Sequence, residues 1–206
     1  MKKIISMFAM LVVVLSSWGQ TSEQTAAIKE ISAAAAAINT MQCDFVQTKT
    51  LKMLGDKMVS RGRMCCKQPD KLLWEYVTPY TYTFVLNANK VLLKKGKRND
   101  VIDVNQNKMF REIARIMMST VVGNCRTDKK EFATTIVSKD NRHIATLTPQ
   151  KKEMRQMFSK IVLHYDRKAA MVVEVELHEK NGDATIIELQ NIKKNSEVNA
   201  SVFAVN

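Results

Sequence analysis

Aromatic side chains crowd the stretch KQPDKLLWEYVTPYTYTFVLN, which spans residues 67–87. The even-numbered positions on either side of Pro79 are almost all aromatic: Trp74, Tyr76, Tyr80, Tyr82 and Phe84. Side chains two residues apart lie on the same face of a β-strand, so this face is strongly apolar. The chemistry open to it is apolar contact. It either packs as protein core or lines a space that holds an apolar ligand.

Residues that could bind a metal are scattered along the chain. His143, His164 and His178 are isolated in the sequence, and the cysteines form no CxxC pair. A zinc site requires ligands at a recognisable spacing, so we predict neither a metal nor a cofactor. Glu174 and Glu176 alternate with apolar residues, which is typical of the solvated face of a strand.

Motifs for catalysis are also missing from the sequence. It contains no GxSxG, HExxH or phosphate-loop motif, and no Ser/His/Asp grouping at a supporting spacing. Catalytic residues need not be adjacent in sequence, so an enzyme stays open as an alternative. The prediction is a binding protein rather than an enzyme.

The four cysteines are Cys43, Cys65, Cys66 and Cys125. Adjacent residues on a strand point to opposite faces, so Cys65 and Cys66 separate. If the strand through Cys43 pairs with theirs across the turn at LGDK, one disulfide is geometrically feasible. The sequence leaves open whether the thiols are bridged or free.

The N-terminus has the pattern of a secretory signal peptide. Lys2 and Lys3 precede an uncharged apolar run from Ile4 to Leu15, and small residues follow in SSWGQTS. The run is too short to span a bilayer comfortably. We expect a signal peptide over residues 1–19, cleaved after Gly19, and a single exported domain over residues 20–206. An uncleaved membrane anchor is the alternative.

The charge balance is strongly basic. Lys and Arg number 32 against 20 Asp and Glu, which gives a net charge of +12. Such an excess favours anionic partners in general, including nucleic acid, anionic membranes and acidic proteins. Export and the scattered placement of the basic residues at turns argue against nucleic acid.

Two amphipathic helices are predicted in an otherwise β-rich chain. Over residues 22–41, alanines favour helix and four apolar residues share one face: Ile28, Ile31, Ile38 and Met41. Over residues 105–124, Phe110, Ile113 and Met117 recur at helical spacing, and Gly123 stands where the helix should stop.

The rest of the chain reads as ten or eleven short strands in an antiparallel meander. Pro79 ends one strand, and Asn181-Gly182 is a strong hairpin signal because both residue types tolerate positive φ. Basic segments such as TPQKKEMR and GKRND are interpreted as turns. A large antiparallel sheet must bury its apolar face, and the two helices could cover it.

Three segments resemble the periplasmic lipoprotein carrier family LolA. MQCDFVQTKT is similar to its F-x-Q strand, and GRMCCKQPDKLLWEYVTP is similar to its glycine-to-tryptophan signature between two prolines. IIELQNIKKNSEVNASVFAV resembles its terminal strands. The resemblance covers nearly all of the expected mature chain.

The resemblance implies a mainly β fold in which a single curved antiparallel sheet forms an unclosed β-barrel. An N-terminal helix and a central lid helix cover it. It also implies a monomeric periplasmic carrier whose apolar cavity takes the acyl chains of lipoproteins. Cargo would come from an inner-membrane lipoprotein-releasing ABC transporter and go to an outer-membrane acceptor.

The expected cavity residues come from the aromatic strands and the central helix: Phe45, Leu72, Trp74, Tyr76, Phe84, Phe110, Ile113 and Met117. In the family pattern an arginine directly before the first proline holds the lid helices shut by hydrogen bonds. This chain has Gln68 there, so Gln68 is the expected lid latch. Gln can donate a hydrogen bond to a carbonyl but carries no charge.

Two related functions stay open beside lipoprotein carriage. The ligand could be another amphiphile, such as a glycolipid or a pigment lipid. The chain could also act as a module that senses lipoproteins. Methionine-rich apolar surfaces accept varied shapes, which suits any of these ligands.

Overall fold

The computed structural model describes residues 17–106, 111, 117–118 and 130–205, with side chains from residue 22 onward. Most of the predicted signal peptide, and also Cys125, lies outside these ranges. The boundary between residues 19 and 20 therefore stays a prediction.

Eleven strands form one antiparallel sheet, as predicted, and it does not close. The strands are β1 Thr40–Leu51, β2 Asp56–Lys67, β3 Lys71–Thr78, β4 Tyr82–Asn87, β5 Lys90–Lys95, β6 Arg98–Asp103, β7 Phe132–Lys139, β8 Arg142–Pro149, β9 Phe158–Asp166, β10 Met171–Glu179 and β11 Ala184–Lys194. Their order is β6-β5-β4-β3-β2-β1-β11-β10-β9-β8-β7.

The centre of the sheet joins the two ends of the chain. Strands β1 and β11 pair antiparallel there, with Phe45 opposite Leu189. Every other neighbouring pair is consecutive in sequence, so each half is a simple meander. The two edge strands, β6 and β7, are linked by residues 104–131. The face that carries α1 and most buried apolar side chains is called the inner face, and the opposite one the outer face.

Turn chemistry follows the sequence closely, with one exception. β3 ends at Thr78, directly before Pro79, and the hairpin between β10 and β11 has Gly182 at a φ of +93°. The turn predicted over GKRND is shorter than expected, since β6 already begins at Arg98. Gly96 makes the tight turn feasible because its φ of +60° costs a glycine little.

Helix α1 spans Ser17–Ala36 and buries Ala27, Ile31 and Ala35. The prediction that it continues to Met41 is wrong, because Thr40 already begins β1. The helix ends next to Asn195, which binds the backbone of the following turn. The Asn195 side chain accepts a hydrogen bond from Asn39 N at 2.7 Å and donates one to Ala37 O at 2.9 Å.

A second helix, α2, spans Lys152–Met157 where a turn was predicted. It forms because Met154 is an apolar anchor among polar neighbours and is only 3 % exposed against the core. Residues Arg111, Met117 and Met118 are helical, as predicted for the central helix; the remainder of that helix, including Phe110 and Ile113, lies outside the described residues.

The end of the chain differs from the strands that the resemblance implied. β11 stops at Lys194, and a short 3-10 helix spans Ala200–Phe203. Phe203 is fully buried against Cys65, Val85 and Leu92 in a small apolar cluster. This cluster covers the outer face near β3 and β4, so the tail folds back instead of extending the sheet.

The three described cysteines are free and buried. Cys43 and Cys66 belong to the inner-face core, whereas Cys65 belongs to the outer cluster, as the strand alternation predicts. Burial raises the pKa of both the Cys43 and the Cys66 thiols to about 12. These thiols are therefore protonated and poorly nucleophilic at neutral pH.

The three histidines are isolated from one another in the sequence, and in the fold each imidazole contacts a carboxylate. His143 Nε2 lies 3.1 Å from Glu30 Oε2, while His164 and His178 both contact Glu176. The contacts of His143 and His164 join different elements, whereas His178 and Glu176 are two positions apart on β10. No described helix is both long and apolar enough to cross a membrane.

Candidate ligand-binding site

A cavity of about 320 Å³ lies on the inner face, at the end of the sheet away from the C-terminus of α1. Three groups of side chains line it. These are the aromatic wall Trp74, Tyr76, Tyr82 and Phe84; the aliphatic wall Val175, Leu177, Ile187 and Leu189; and the roof Met117, Met154, Met157 and Phe158, with Gln47 between the walls.

The aromatic wall arises from two paired strands. In the register between β3 and β4, Trp74 lies opposite Phe84 and Tyr76 opposite Tyr82. Both pairs point inward because the strands alternate with period two. The rings of Tyr76 and Tyr82 have centroids 6.3 Å apart, within the range of tilted aromatic contacts. The wall is thus a continuous apolar surface.

The aliphatic wall faces it from β10 and β11. Val175 lies opposite Ile187 across the two strands. Neighbouring positions on the same strands point outward, as Glu174 and Glu176 do in β10. The two walls therefore come from strands on either side of the β1–β2 pair. The sheet thus places residues about a hundred positions apart in sequence around the same cavity.

The roof is built from flexible side chains. Met154 and Met157 come from α2, and Phe158 begins β9 directly after it. Met117 contributes from the central segment. Met157 is 38 % exposed, so the roof reaches solvent and does not seal the cavity. Unbranched thioether side chains adapt to ligands of varied shape.

A hydrogen-bonded polar pair lies within the apolar lining. The Tyr76 hydroxyl donates a hydrogen bond to Gln47 Oε1 at 2.8 Å. Burial raises the pKa of Tyr76, so its hydroxyl stays protonated at neutral pH. The lining is therefore uncharged. It can hold an apolar chain, and its polar groups are neutral: the Gln47–Tyr76 pair, the Tyr82 hydroxyl and the Trp74 indole N–H.

The structure separates the expected cavity residues into three groups: four line the cavity, two lie in packed core, and Phe110 and Ile113 lie outside the described residues. Trp74, Tyr76, Phe84 and Met117 line the cavity. Phe45 and Leu72 lie in the packed core instead, where they are 1 % and 0 % exposed.

Phe45 supports the aromatic wall from behind. Its ring stacks on Trp74 at a centroid distance of 4.3 Å and meets Tyr76 edge-on at 5.3 Å. Gly62 leaves the room for this ring, since a Cβ there would lie 2.5 Å from Phe45 Cζ. The aromatic wall therefore rests on a packed layer.

Several lining residues could not be predicted from the sequence. Val175 and Leu177 share a recognisable strand face, but nothing in the pattern separates core from cavity. Met154, Met157 and Phe158 stand at helical spacing, a signal that the surrounding lysines obscured. Only the packing of α2 against the sheet brings them over the cavity.

Gln68 fastens the end of α1. Its side-chain amide donates hydrogen bonds to Ala35 O at 3.0 Å and to Ile38 O, and its backbone N–H donates to Asn39 O at 2.9 Å. The C-terminal carbonyls of a helix otherwise lack partners. The contact thus joins the end of β2 to the last turn of α1.

A second contact fastens α1 in its middle. Glu30 lies 3.1 Å from His143 Nε2 and 3.4 Å from Arg167, while His143 Nδ1 is 2.9 Å from Ser138 Oγ. The hydrogen bond from His143, helped by Arg167 and opposed by partial burial, lowers the pKa of Glu30. A polar cluster thus ties α1 to β8.

Comparison with known sequences places the fold and cavity in a family. The family described as "Outer membrane lipoprotein carrier protein LolA" matches residues 36–206. The chain belongs to the LolA family. The match begins at the end of α1 and includes every strand and the whole described cavity lining.

Individual relatives are distant. An outer-membrane lipoprotein carrier protein of Ralstonia nicotianae is 22% identical over 197 residues, covering 92% of this chain and 86% of that protein. One of Nitrosospira multiformis is 23% identical over 164 residues, covering 80% and 76%. The family is therefore shared, while the sequence has diverged widely.

A solved structure supports the fold. The structure of the Pseudomonas aeruginosa MucA/MucB complex matches with a TM-score of 0.52 at 12% identity, over 87% of this chain and 60% of that one. At this identity the likeness concerns the fold alone.

Proposed function

We propose that this protein carries lipoproteins by holding their acyl chains in the inner-face cavity. The observation that supports this most directly is an uncharged apolar cavity in a LolA-family chain, between the aromatic and aliphatic walls. An acyl chain gains about 0.8 kcal/mol per buried methylene, so contact with these walls supplies the affinity. The protein acts by binding, without catalysis or a cofactor.

The proposed route crosses the periplasm. The leader would be cleaved after Gly19, and the monomeric mature chain would take cargo from an inner-membrane lipoprotein-releasing ABC transporter. It would deliver that cargo to an outer-membrane acceptor. The basic surface of a chain with a net charge of +12 favours docking on acidic membrane or transporter surfaces.

Release requires that cargo competes with contacts of the protein itself. The roof methionines fill the space above the walls when no ligand is bound, and α1 is fastened by Gln68 and Glu30. Loading would displace the segment through Met117 and weaken the contacts that Gln68 and Glu30 make with α1. Gln68 is thus proposed as the lid latch, in the place of the family's arginine.

The cavity can be tested with two neighbouring isoleucines of β11. Ile187 lines the cavity at 9% exposed, while Ile186 points outward at 38%. Ile187→Gln should weaken binding of a fluorescent fatty-acyl ligand by about tenfold or more, because it puts an amide in the apolar lining. Ile186→Gln is the matched control and should bind normally.

Circular dichroism must show both variants folded for the comparison to count. Leu177→Gln, on the neighbouring strand, repeats the test at a less buried position. Equal affinity for Ile187→Gln, Leu177→Gln and the unaltered chain would contradict an acyl-binding cavity here.

Trp74 reports occupancy directly. Trp18 precedes the predicted cleavage site, so Trp74 would be the only tryptophan of the mature chain. Saturation with a fatty-acyl ligand should shift its emission, since a bound chain would contact the indole that lines the cavity. Unchanged emission, with binding established by calorimetry, would remove Trp74 from the ligand-binding surface.

Motion of the central segment can be tested by crosslinking. A reducible crosslink between Met117 and α1 near Ile28 or Ile31 should block cargo uptake, and reduction should restore it. Full uptake with the crosslink in place would contradict a moving lid while leaving the cavity itself untouched.

The identity of the cargo decides between carriage and its alternatives. Mass spectrometry of material that co-purifies from the native periplasm should find acylated proteins. A glycolipid or pigment lipid would instead indicate carriage of another amphiphile. Binding of acylated protein without transfer to outer-membrane vesicles would favour a sensing module.

A further inference from the structure

Two histidines and two glutamates meet on the outer face of β9 and β10. His164 lies directly across the strands from Glu174, and Glu176 follows on the same face. His164 Nε2 is 3.2 Å from Glu174 Oε1 and 2.6 Å from Glu176 Oε1. The other oxygen of Glu176 lies 2.7 Å from His178 Nε2.

The cluster is unusual for so basic a chain. Among the described residues, the ion-pair partners of Glu174 and Glu176 are imidazoles, not lysines or arginines. The side chains of His164, Glu174 and Glu176 are only 15% to 26% exposed. The Nε2 of one imidazole carries at most one proton, which it cannot donate fully to two carboxylates at once.

We propose that His164, Glu174 and Glu176 bind a divalent transition-metal ion, with Zn²⁺ as the expected occupant. One ligand atom from each residue lies within 4.8 Å of the other two. Zinc binds imidazole nitrogen and carboxylate oxygen at about 2.0–2.2 Å in a tetrahedral arrangement. Small movements of the two glutamate side chains toward the ion bring three protein ligands to these distances. A water molecule supplies the fourth ligand.

The ligand types select the metal class. Mg²⁺ and Ca²⁺ prefer all-oxygen sites with six or more ligands, which a His/Glu/Glu set does not provide. Imidazole suits Zn²⁺ and its neighbours in the transition series. A divalent ion would also offset the repulsion between the two adjacent carboxylates, which the imidazoles relieve only in part.

His178 acts as a positioning residue. It contacts the Glu176 oxygen that does not face His164 and so fixes the direction of that carboxylate. Such outer contacts typically change metal affinity by about 10–100-fold.

The site lies behind the cavity without touching it. Val175, between the two glutamates, points inward and lines the aliphatic wall. A bound ion would therefore clamp β9 to β10 on the outer face, directly behind that wall. The proposal is independent of the cargo and of the carrier function.

The test is a calorimetric titration of the chelator-treated chain with Zn²⁺. We expect one ion per chain, with affinity reduced at least tenfold in both His164→Ala and Glu176→Gln. His178→Ala should lose affinity by about tenfold while keeping the same stoichiometry. Glu75→Gln is the control, because Glu75 pairs with Arg63 on the same face at a distant strand. Mg²⁺ and Ca²⁺ should give no heat.

Unchanged affinity in His164→Ala, or an equal loss in Glu75→Gln, would overturn the proposal. Binding that survives His164→Ala but disappears after alkylation of the thiols would assign the ion to cysteines and overturn it equally. NMR of the unaltered chain tests the site without the risk that a variant misfolds. Zn²⁺ should shift the signals of the His164 and His178 rings, and not those of His143. Absence of that pattern would also contradict the site.

Discussion

The two ends of the inner face are built from the same kind of strand but are packed differently. Along β3, Leu72, Trp74 and Tyr76 share one face. Leu72 is 0% exposed in the core, whereas Trp74 and Tyr76 line the cavity. At the packed end α1 lies on the sheet. At the cavity end, the methionine-rich roof is what covers the walls in the part of the chain that the structure describes.

The contacts of α1 explain where stability resides. Gln68 and Glu30 both fasten the helix. Ile31 of α1, and Ile38 just beyond its end, pack in the same core as Leu72. In the roof, Lys151 Nζ at the start of α2 lies 2.7 Å from Glu131 Oε1, and Met157 O accepts a hydrogen bond from Lys180 N–H at 3.0 Å. The two ends therefore differ in apolar packing: α1 buries Ile31 in the core, whereas Met157 in the roof is 38% exposed.

The strongest test of this difference deletes the same side chain at both ends. Leu72→Ala should lower the free energy of unfolding by about 2–5 kcal/mol, because it leaves a cavity in packed core. Leu177→Ala should cost about 1 kcal/mol or less, since its side chain already borders open space. Urea unfolding measures both.

Ligand affinity should follow the reverse order. Leu177→Ala should weaken fatty-acyl binding, whereas Leu72→Ala should bind normally wherever it remains folded. Equal losses of stability at the two positions would show that the cavity end is packed like the core.

Gly62 offers a second test of the packed layer behind the aromatic wall. A Cβ at Gly62 would lie 2.0 Å from Glu75 O and 2.5 Å from Phe45 Cζ. The backbone must shift to admit it, so Gly62→Ala should destabilise the protein by about 1–3 kcal/mol. Arg61→Ala, at an exposed neighbour, should change stability by less than about 0.5 kcal/mol. Equal denaturation midpoints for Gly62→Ala and Arg61→Ala would contradict the close approach of Phe45 and Glu75 to Gly62.

Gln68 tests the fastening of α1 itself. An arginine there donates charge-assisted hydrogen bonds, worth about 1.5–3 kcal/mol against about 0.5–1.5 kcal/mol for a neutral amide. Gln68→Arg should therefore stabilise the empty protein by about 1 kcal/mol and slow the uptake of labelled lipoprotein.

Lys67→Arg is the control for Gln68→Arg, because Lys67 is exposed and points to the other face. It should change neither thermal stability nor uptake. If Gln68→Arg also changed neither, Gln68 would lose its role as latch and the carrier function would stand.

The smallest effect concerns pH and the middle of α1. The pKa of Glu30 lies below its ordinary value in the folded state, chiefly through the hydrogen bond with His143. The Glu30 contact therefore stabilises the folded protein above the ordinary carboxyl pKa of about 4.3. This stabilisation is lost as the pH falls through the lower pKa that Glu30 has in the folded state. The side chain is 38% exposed, so solvent screening limits the effect to about 0.2–1 kcal/mol.

Glu30→Gln should flatten the acid side of the stability curve, measured by urea unfolding at stepwise lower pH. Glu23→Gln, at an exposed site on the same helix, is the control. An acid dependence as steep in Glu30→Gln as in the unaltered chain would mean that the Glu30 contact adds no stability.

The sequence alone determined the strand layout and much of the aromatic wall. Alternation with period two, Pro79 and the Asn181-Gly182 hairpin are local signals, and local signals fix strands and turns. The LolA resemblance then indicated an open sheet. Trp74, Tyr76 and Phe84 followed from the same alternation, because it decides which side chains share a face.

Only the tertiary structure decided which inward residues are core and which line a space. Phe45 and Leu72 have the same alternation as Trp74, yet they are enclosed at 1% and 0% exposed, whereas Trp74, at 6%, still borders the cavity. The packing of α2 also brought Met154 over the cavity, and the pairing of β9 with β10 placed Glu176 between His164 and His178. Strand periodicity specifies a face and carries no information about what lies against that face, so burial and clustering depend on the packing of the whole chain.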